Sequence, residues 1–167
     1  IIVGTSIGSL VGGLYSVGYT AKELEDLCNE QDWKELLLDD LPRSYLSKAD
    51  RSLQQRYLFA LRVDDKKKLT LPQGVIKGQN VLNLLCGLTG SVPSEMDFSK
   101  LPVNYACIAA NLETGEEIVL NKGSLPTAMF ASMAVPGIFQ YPEREGLALI
   151  DGGVVNNFPV DVAKKMG

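Results

Sequence analysis

Gly4-Thr5-Ser6-Ile7-Gly8 follows the apolar triplet Ile1-Ile2-Val3 and precedes a helix-forming run. Strand, sharp turn and helix around G-x-S-x-G is the context of a nucleophile elbow, which lifts a serine hydroxyl clear of a strand end. Gly4 and Gly8 leave room for that turn because they bring no Cβ. The helix start behind Ser6 offers free N–H groups and a positive dipole end, and the Ile7 N–H is placed to meet a developing oxyanion. A phosphate loop at the same place fails on residue types. Gly8 is followed five residues later by Gly13 and then Leu14-Tyr15, not Lys-Ser/Thr, and Ser6 stands where a dinucleotide fingerprint needs its second glycine.

A serine nucleophile needs a base, and none of the 167 residues is histidine. Any Ser-His-Asp or Cys-His mechanism is excluded within this chain. Asp151-Gly152-Gly153 comes directly after the apolar stretch Leu147 to Ile150. Asp-Gly is a common turn dipeptide, so a structural role is open. Yet functional groups gather beyond the carboxyl ends of strands in parallel α/β sheets, where Ser6 and Asp151 are both expected. A Ser–Asp dyad is the simplest mechanism the residue inventory allows. It needs no metal or cofactor. Cys28, Cys86 and Cys107 are odd in number, far apart, and lack metal-ligand spacing.

The elements that must position these residues follow from periodicity. Ile7 to Val17 reads as a buried helix. A membrane span over the uncharged residues 1 to 21 is the rival reading, but ten of them are Gly, Ser or Thr. Thr20-Ala21-Lys22-Glu23 is a capping box opening a second helix, and Asp32-Trp33-Lys34-Glu35 repeats it. Residues 39 to 52 look irregular. Tyr57 to Val63 and Leu69 to Leu71 read as strands around a charged turn at 64 to 68. Gly78 to Gly87 is helical, Val103 to Ala110 is an apolar strand, and Leu125 to Ala134 is a helix bounded by Pro126 and Pro136. The last strand is Leu147 to Ile150, and Pro159 opens a final helix. Alternating helices and continuous apolar strands predict an α/β domain with a largely parallel sheet.

Composition agrees. Apolar residues at 46% and charged residues at 22% fit an ordinary globular domain, and a net charge of −4 argues against non-specific nucleic-acid binding. The chain begins without Met on Ile1-Ile2-Val3 and is read as part of a larger domain.

Three ordered blocks resemble those of the patatin-like phospholipases: Gly4 to Gly8, the run Ala131-Ser132-Met133-Ala134-Val135-Pro136-Gly137-Ile138-Phe139, and Asp151-Gly152-Gly153 with the residues to Pro159. Asn111 to Glu116 is similar as well. The resemblance implies a three-layer α/β/α fold with a mostly parallel central sheet over residues 1–167, truncated at its N-terminus. It also implies hydrolysis of acyl esters in a membrane lipid or lysolipid, Ser6 falling on the family nucleophile and Asp151 on its acidic partner. The family's glycine-rich oxyanion block, G-G-G-x-[RK]-G, lies upstream of the elbow and is absent from this chain. A weaker similarity at Leu71-Pro72-Gln73-Gly74 and Gly78-Gln79 points to bacterial members exported and joined to an outer-membrane barrel. Within the family, Ala131 to Phe139 is a candidate wall for the acyl chain, with core packing as the alternative. An acyltransferase on the same dyad and a non-catalytic lipid-binding module are the rival functions.

Overall fold

The computed structural model describes residues 1–38, 62–63, 69–70 and 74–167. The expectations for 39–61, 64–68 and 71–73 lie outside the described residues. In chain order the elements are strand β1 (Ile2–Thr5), helices α1 (Ile7–Val17), α2 (Ala21–Glu30) and α3 (Trp33–Leu38), and short strands β2 (Arg62–Val63), β3 (Leu69–Thr70) and β4 (Gly74–Ile76). Helix α4 (Gln79–Leu88), strands β5 (Met96–Asp97), β6 (Tyr105–Asn111), β7 (Glu117–Leu120) and β8 (Lys122–Gly123) and helix α5 (Leu125–Met133) follow. Strands β9 (Gly137–Phe139), β10 (Glu143–Arg144) and β11 (Leu147–Asp151) then lead to helix α6 (Val160–Met166).

Local chemistry explains the starts of these helices. Thr20 Oγ1 accepts the Glu23 N–H while Glu23 accepts the Thr20 N–H at 2.8 Å, so the capping box forms in full. Asp32 Oδ1 accepts the N–H groups of Lys34 and Glu35 and opens α3. Pro126 sits in the first turn of α5, where no N–H is needed. Residues 1 to 17 form a strand and an 11-residue helix, and no helix among the described residues is long and apolar enough to cross a membrane.

Strand β6 organises the rest. All seven of its residues are buried, which its apolar sequence foretells. Tyr105, Cys107 and Ala109, alternate residues of β6, enter the main core with Val81 and Leu85 of α4 and Leu125, Met129 and Phe130 of α5. Helix α6 packs against β1. The class is α/β, helices on a central sheet, as the three-layer arrangement requires.

The pairing directions within that sheet are mixed. β1 runs parallel to β6, whereas β7 and β11 run antiparallel to it, and β10 antiparallel to β11. The parallel expectation holds at the seam that carries Ser6 and needs correcting for Leu147–Asp151. Apolar runs buried on both faces do not reveal direction. Here β10 leads into β11 through Glu145 and Gly146, both at positive φ, a tight hairpin that sends β11 back along β6.

Candidate active site

The site forms where two strands meet end to end. A strand has two hydrogen-bonding edges. β7 occupies one edge of β6 from Cys107 to Ala110, so β1 and β11 share the other. β1 climbs it to the pair Thr5–Ile108, and β11 descends it to the pair Asp151–Ala109. Ser6 and Asp151 therefore arrive at one point from opposite directions, although 145 residues separate them. Ser6 Oγ donates to Asp151 Oδ2 at 2.7 Å.

Each side chain is held by its backbone setting. Ser6 has φ 55° and ψ −124°, one of two non-glycine residues at positive φ among the described residues. Such a conformation costs about 1–3 kcal/mol and persists only where its surroundings enforce it. A Cβ on Gly4 would lie 2.3 Å from the Gly8 carbonyl oxygen, so the first elbow glycine is a steric necessity. Gly8 is different: a Cβ there meets nothing within 4 Å. The α1 start leaves the Ile7 and Gly8 N–H groups, on the two residues that follow Ser6, without a preceding helical carbonyl.

Asp151 is 6% exposed and fully engaged. Its N–H donates to the Ala134 carbonyl at 2.9 Å, Oδ1 accepts the Gly153 N–H at 2.7 Å, and Oδ2 is left to Ser6. Gly152 packs flat on β6, since a Cβ would stand 2.3 Å from the Ile108 carbonyl oxygen. The turn role foreseen for Asp-Gly-Gly is thus real, and it aims the carboxylate at the serine.

Several residues that periodicity did not single out complete the junction. Ser132 of α5, completely buried, accepts the Ser6 N–H at 3.1 Å and donates to the Ile108 carbonyl at 2.6 Å. Ser9 donates to the Ser6 carbonyl at 2.6 Å, and Tyr105 Oη, whose proton burial holds well above the ordinary tyrosine range, donates to the Ser9 carbonyl at 2.8 Å. Thr5 Oγ1 donates to the Asn156 carbonyl at 2.9 Å, tying the elbow to the segment after Asp151. Ser132 carries no local signal, since α5 holds a second hydroxyl at Thr127 and both partners of Ser132 lie on other elements.

Beyond Ile7 lies a cavity of about 130 Å³ between α1, α2, α3 and α4. Leu10, Leu14, Leu24, Leu85 and Met133 line it with Ile7. Ala131, Met133, Ala134 and Phe139 of the run Ala131 to Phe139 belong to the core, and Met133 alone of that run also lines this cavity. Among the described residues no group of three or more Asp, Glu or Cys side chains is placed to hold a metal ion. A serine bonded to a fixed carboxylate, next to helix-end N–H groups and an apolar cavity, is an arrangement suited to acyl transfer.

Residues 1–164 match the family model described as patatin-like phospholipase. An uncharacterized NTE family protein of Mycobacterium tuberculosis is 26% identical over 159 residues, covering 95% of this chain and 36% of that protein. A lysophospholipase of Candida albicans is 30% identical over 168 residues, covering 100% of this chain and 10% of its own length. A patatin-like phospholipase domain-containing protein of Caenorhabditis elegans is 28% identical over 169 residues, with the same coverage. The chain spans about a third of the length of that mycobacterial relative and a tenth of the fungal and nematode ones.

Proposed function

The chain belongs to the patatin-like phospholipase family, and from that premise we propose that it hydrolyses the carboxylic ester of a membrane lipid or lysolipid with Ser6 as nucleophile and Asp151 as general base. The observation that carries this reading is the 2.7 Å hydrogen bond from Ser6 Oγ to Asp151 Oδ2, made from a strained elbow.

In the first half-reaction Ser6 Oγ attacks the ester carbonyl and its proton passes to Asp151. The tetrahedral oxyanion sits against the Ile7 N–H at the start of α1. Collapse breaks the ester C–O bond, and Asp151 returns the proton to the departing alcohol. Water then attacks the acyl-enzyme as Asp151 accepts its proton, releasing the fatty acid and restoring Ser6. The cavity beyond Ile7 is the natural place for the acyl chain, because it is apolar and starts one residue from the nucleophile. That the fungal relative is a lysophospholipase favours a substrate with a single acyl chain. The further reading of an exported bacterial domain is supported by the similarity at Leu71 to Gly74 and Gly78-Gln79 alone.

The test is hydrolysis of phosphatidylcholine vesicles and of lysophosphatidylcholine micelles by the full chain. Ser6→Ala is expected to cut turnover by at least about 10,000-fold with an unchanged melting temperature. Activity within tenfold of wild type would overturn the nucleophile assignment.

A further inference from the structure

The register of the β1–β6 ladder shows that one of its rungs has been altered. In a parallel pair the donors of one strand recur every second residue. Ile2 stands opposite Tyr105, and its N–H donates to the Asn104 carbonyl at 2.8 Å, one residue before its partner. The register continues through Gly4–Cys107 and Thr5–Ile108. The donors turned toward β6 are thus those of Ile2, Gly4 and Ser6, and the carbonyl due to Ser6 is that of Ile108. The direct bond is replaced. Ser132 Oγ stands between the two groups, accepting from Ser6 at 3.1 Å and donating to Ile108 at 2.6 Å.

We propose that Ser132 is a positioning residue, its hydroxyl a spacer inserted in the last rung of the ladder to hold the Ser6 peptide off the sheet at a fixed height. The inference rests on Ser6 being the nucleophile. A direct rung would keep Ser6 in the sheet, with its side chain on the strand's own alternation. A missing rung would bury an unpaired N–H and an unpaired carbonyl. One hydroxyl, both donor and acceptor, lets the chain leave the strand at Ser6 with both groups satisfied. The crowding agrees: Gly152 already covers the Ile108 carbonyl so closely that no Cβ fits. Ser132, completely buried on α5, reaches that carbonyl with its hydroxyl. The Ser6 carbonyl is held independently, by the Ser9 N–H at 2.9 Å and the Ser9 hydroxyl at 2.6 Å. The strained residue is therefore gripped at its N–H from α5 and at its carbonyl from α1.

Ser132→Ala and Ser132→Thr in the full chain separate the hydroxyl from the space it fills. kcat and KM would be measured on a short-chain and a long-chain ester, beside fluorophosphonate labelling rates and melting temperatures. Ser132→Ala is expected to lower kcat by about 10- to 100-fold, as a misplaced reacting group does. KM should stay within about twofold, with the same factor on both esters and on labelling. Ser132→Thr keeps the hydroxyl and should stay within about fivefold of wild type despite its extra methyl. A folded Ser132→Ala within about threefold of wild type overturns the proposal, and so does Ser132→Thr slower than Ser132→Ala, since volume would then decide. Should Ser132→Ala not fold, Ser132→Cys against Ser132→Thr decides: a slow Cys variant supports the spacer, and equal rates overturn it. An active Ser6→Ala would instead overturn the nucleophile reading beneath it.

Discussion

The junction around Ser6 and the cavity beyond it share one residue, Ile7, and are built by different rules. In the junction nearly every polar group has a named partner: Ser6 N–H and carbonyl, both Asp151 oxygens, the Ser132 and Thr5 hydroxyls. In the cavity Leu10, Leu14, Leu24, Leu85 and Met133 contribute shape alone. Hydrogen bonds are directional and fail when moved by half an ångström, whereas apolar packing tolerates exchange at similar volume. Chemistry needs the first kind of construction and accommodation of a flexible chain needs the second. Substitutions in the junction should therefore act on rate, and substitutions in the cavity on which substrate is preferred.

The largest expected effect is at Asp151. Asp151→Asn keeps the shape and the bond from Gly153 but removes the proposed base, and turnover should fall by about 10,000-fold, the loss seen when a catalytic carboxylate is made an amide. Its melting temperature should stay close to wild type, checked by calorimetry beside an ester-hydrolysis assay.

The glycines sharpen the comparison inside the junction itself. Gly152→Ala and Gly4→Ala push a methyl against backbone carbonyls at 2.3 Å and should cost about 1–3 kcal/mol of stability each. Gly8→Ala belongs to the same motif but meets open space, and within a helix it should be neutral or stabilising by up to about 1 kcal/mol. Urea melts of the three variants read this directly, and equal losses would remove the distinction.

In the cavity, Leu27→Trp adds bulk on the α2 wall. The ratio of long-chain to short-chain ester hydrolysis should fall by about tenfold, with short-chain kcat unchanged. A uniform loss on both esters would mean that the cavity wall supports the junction instead.

The smallest effect concerns β6, which underlies both regions. Burial pushes the Cys107 thiol up to about 12, from an ordinary 9.0, so the folded chain holds this proton more tightly than the unfolded one. That contribution is fully present below pH 9 and is lost as pH rises toward 12. Cys28 and Cys86 are exposed. A thiol reagent at neutral pH should therefore modify those two rapidly and Cys107 only on unfolding.

Much of this was legible in sequence wherever the cause is local. The passage from Ile2–Thr5 into Ile7–Val17, the capping box at Thr20 and the proline-bounded helix from Leu125 each depend on neighbours within a turn, and each forms as read. Ser6 and Asp151 could be singled out because histidine is absent and both follow apolar strands. That β11 runs against β1 on one edge of β6 depends on a hairpin and a register set across the sheet, which apolar runs do not encode. The place of Ser132 depends on that same register, so nothing within the run Ala131 to Phe139 marks its hydroxyl as different from a core serine. That run is apolar because it packs in the core, whereas the cavity beyond Ile7 is lined mostly by α1, α2, α3 and α4, whose meeting no local pattern encodes.

The central claim, that Ser6 is the nucleophile and Asp151 its base, is tested most directly by mapping a covalent adduct. The full chain and its Asp151→Asn variant would be treated with a fluorophosphonate, digested, and sequenced by mass spectrometry. The account predicts one phosphonylated serine, Ser6, with labelling slowed by at least about 100-fold in Asp151→Asn. An adduct on another residue, or equal labelling of both proteins at Ser6, would contradict it.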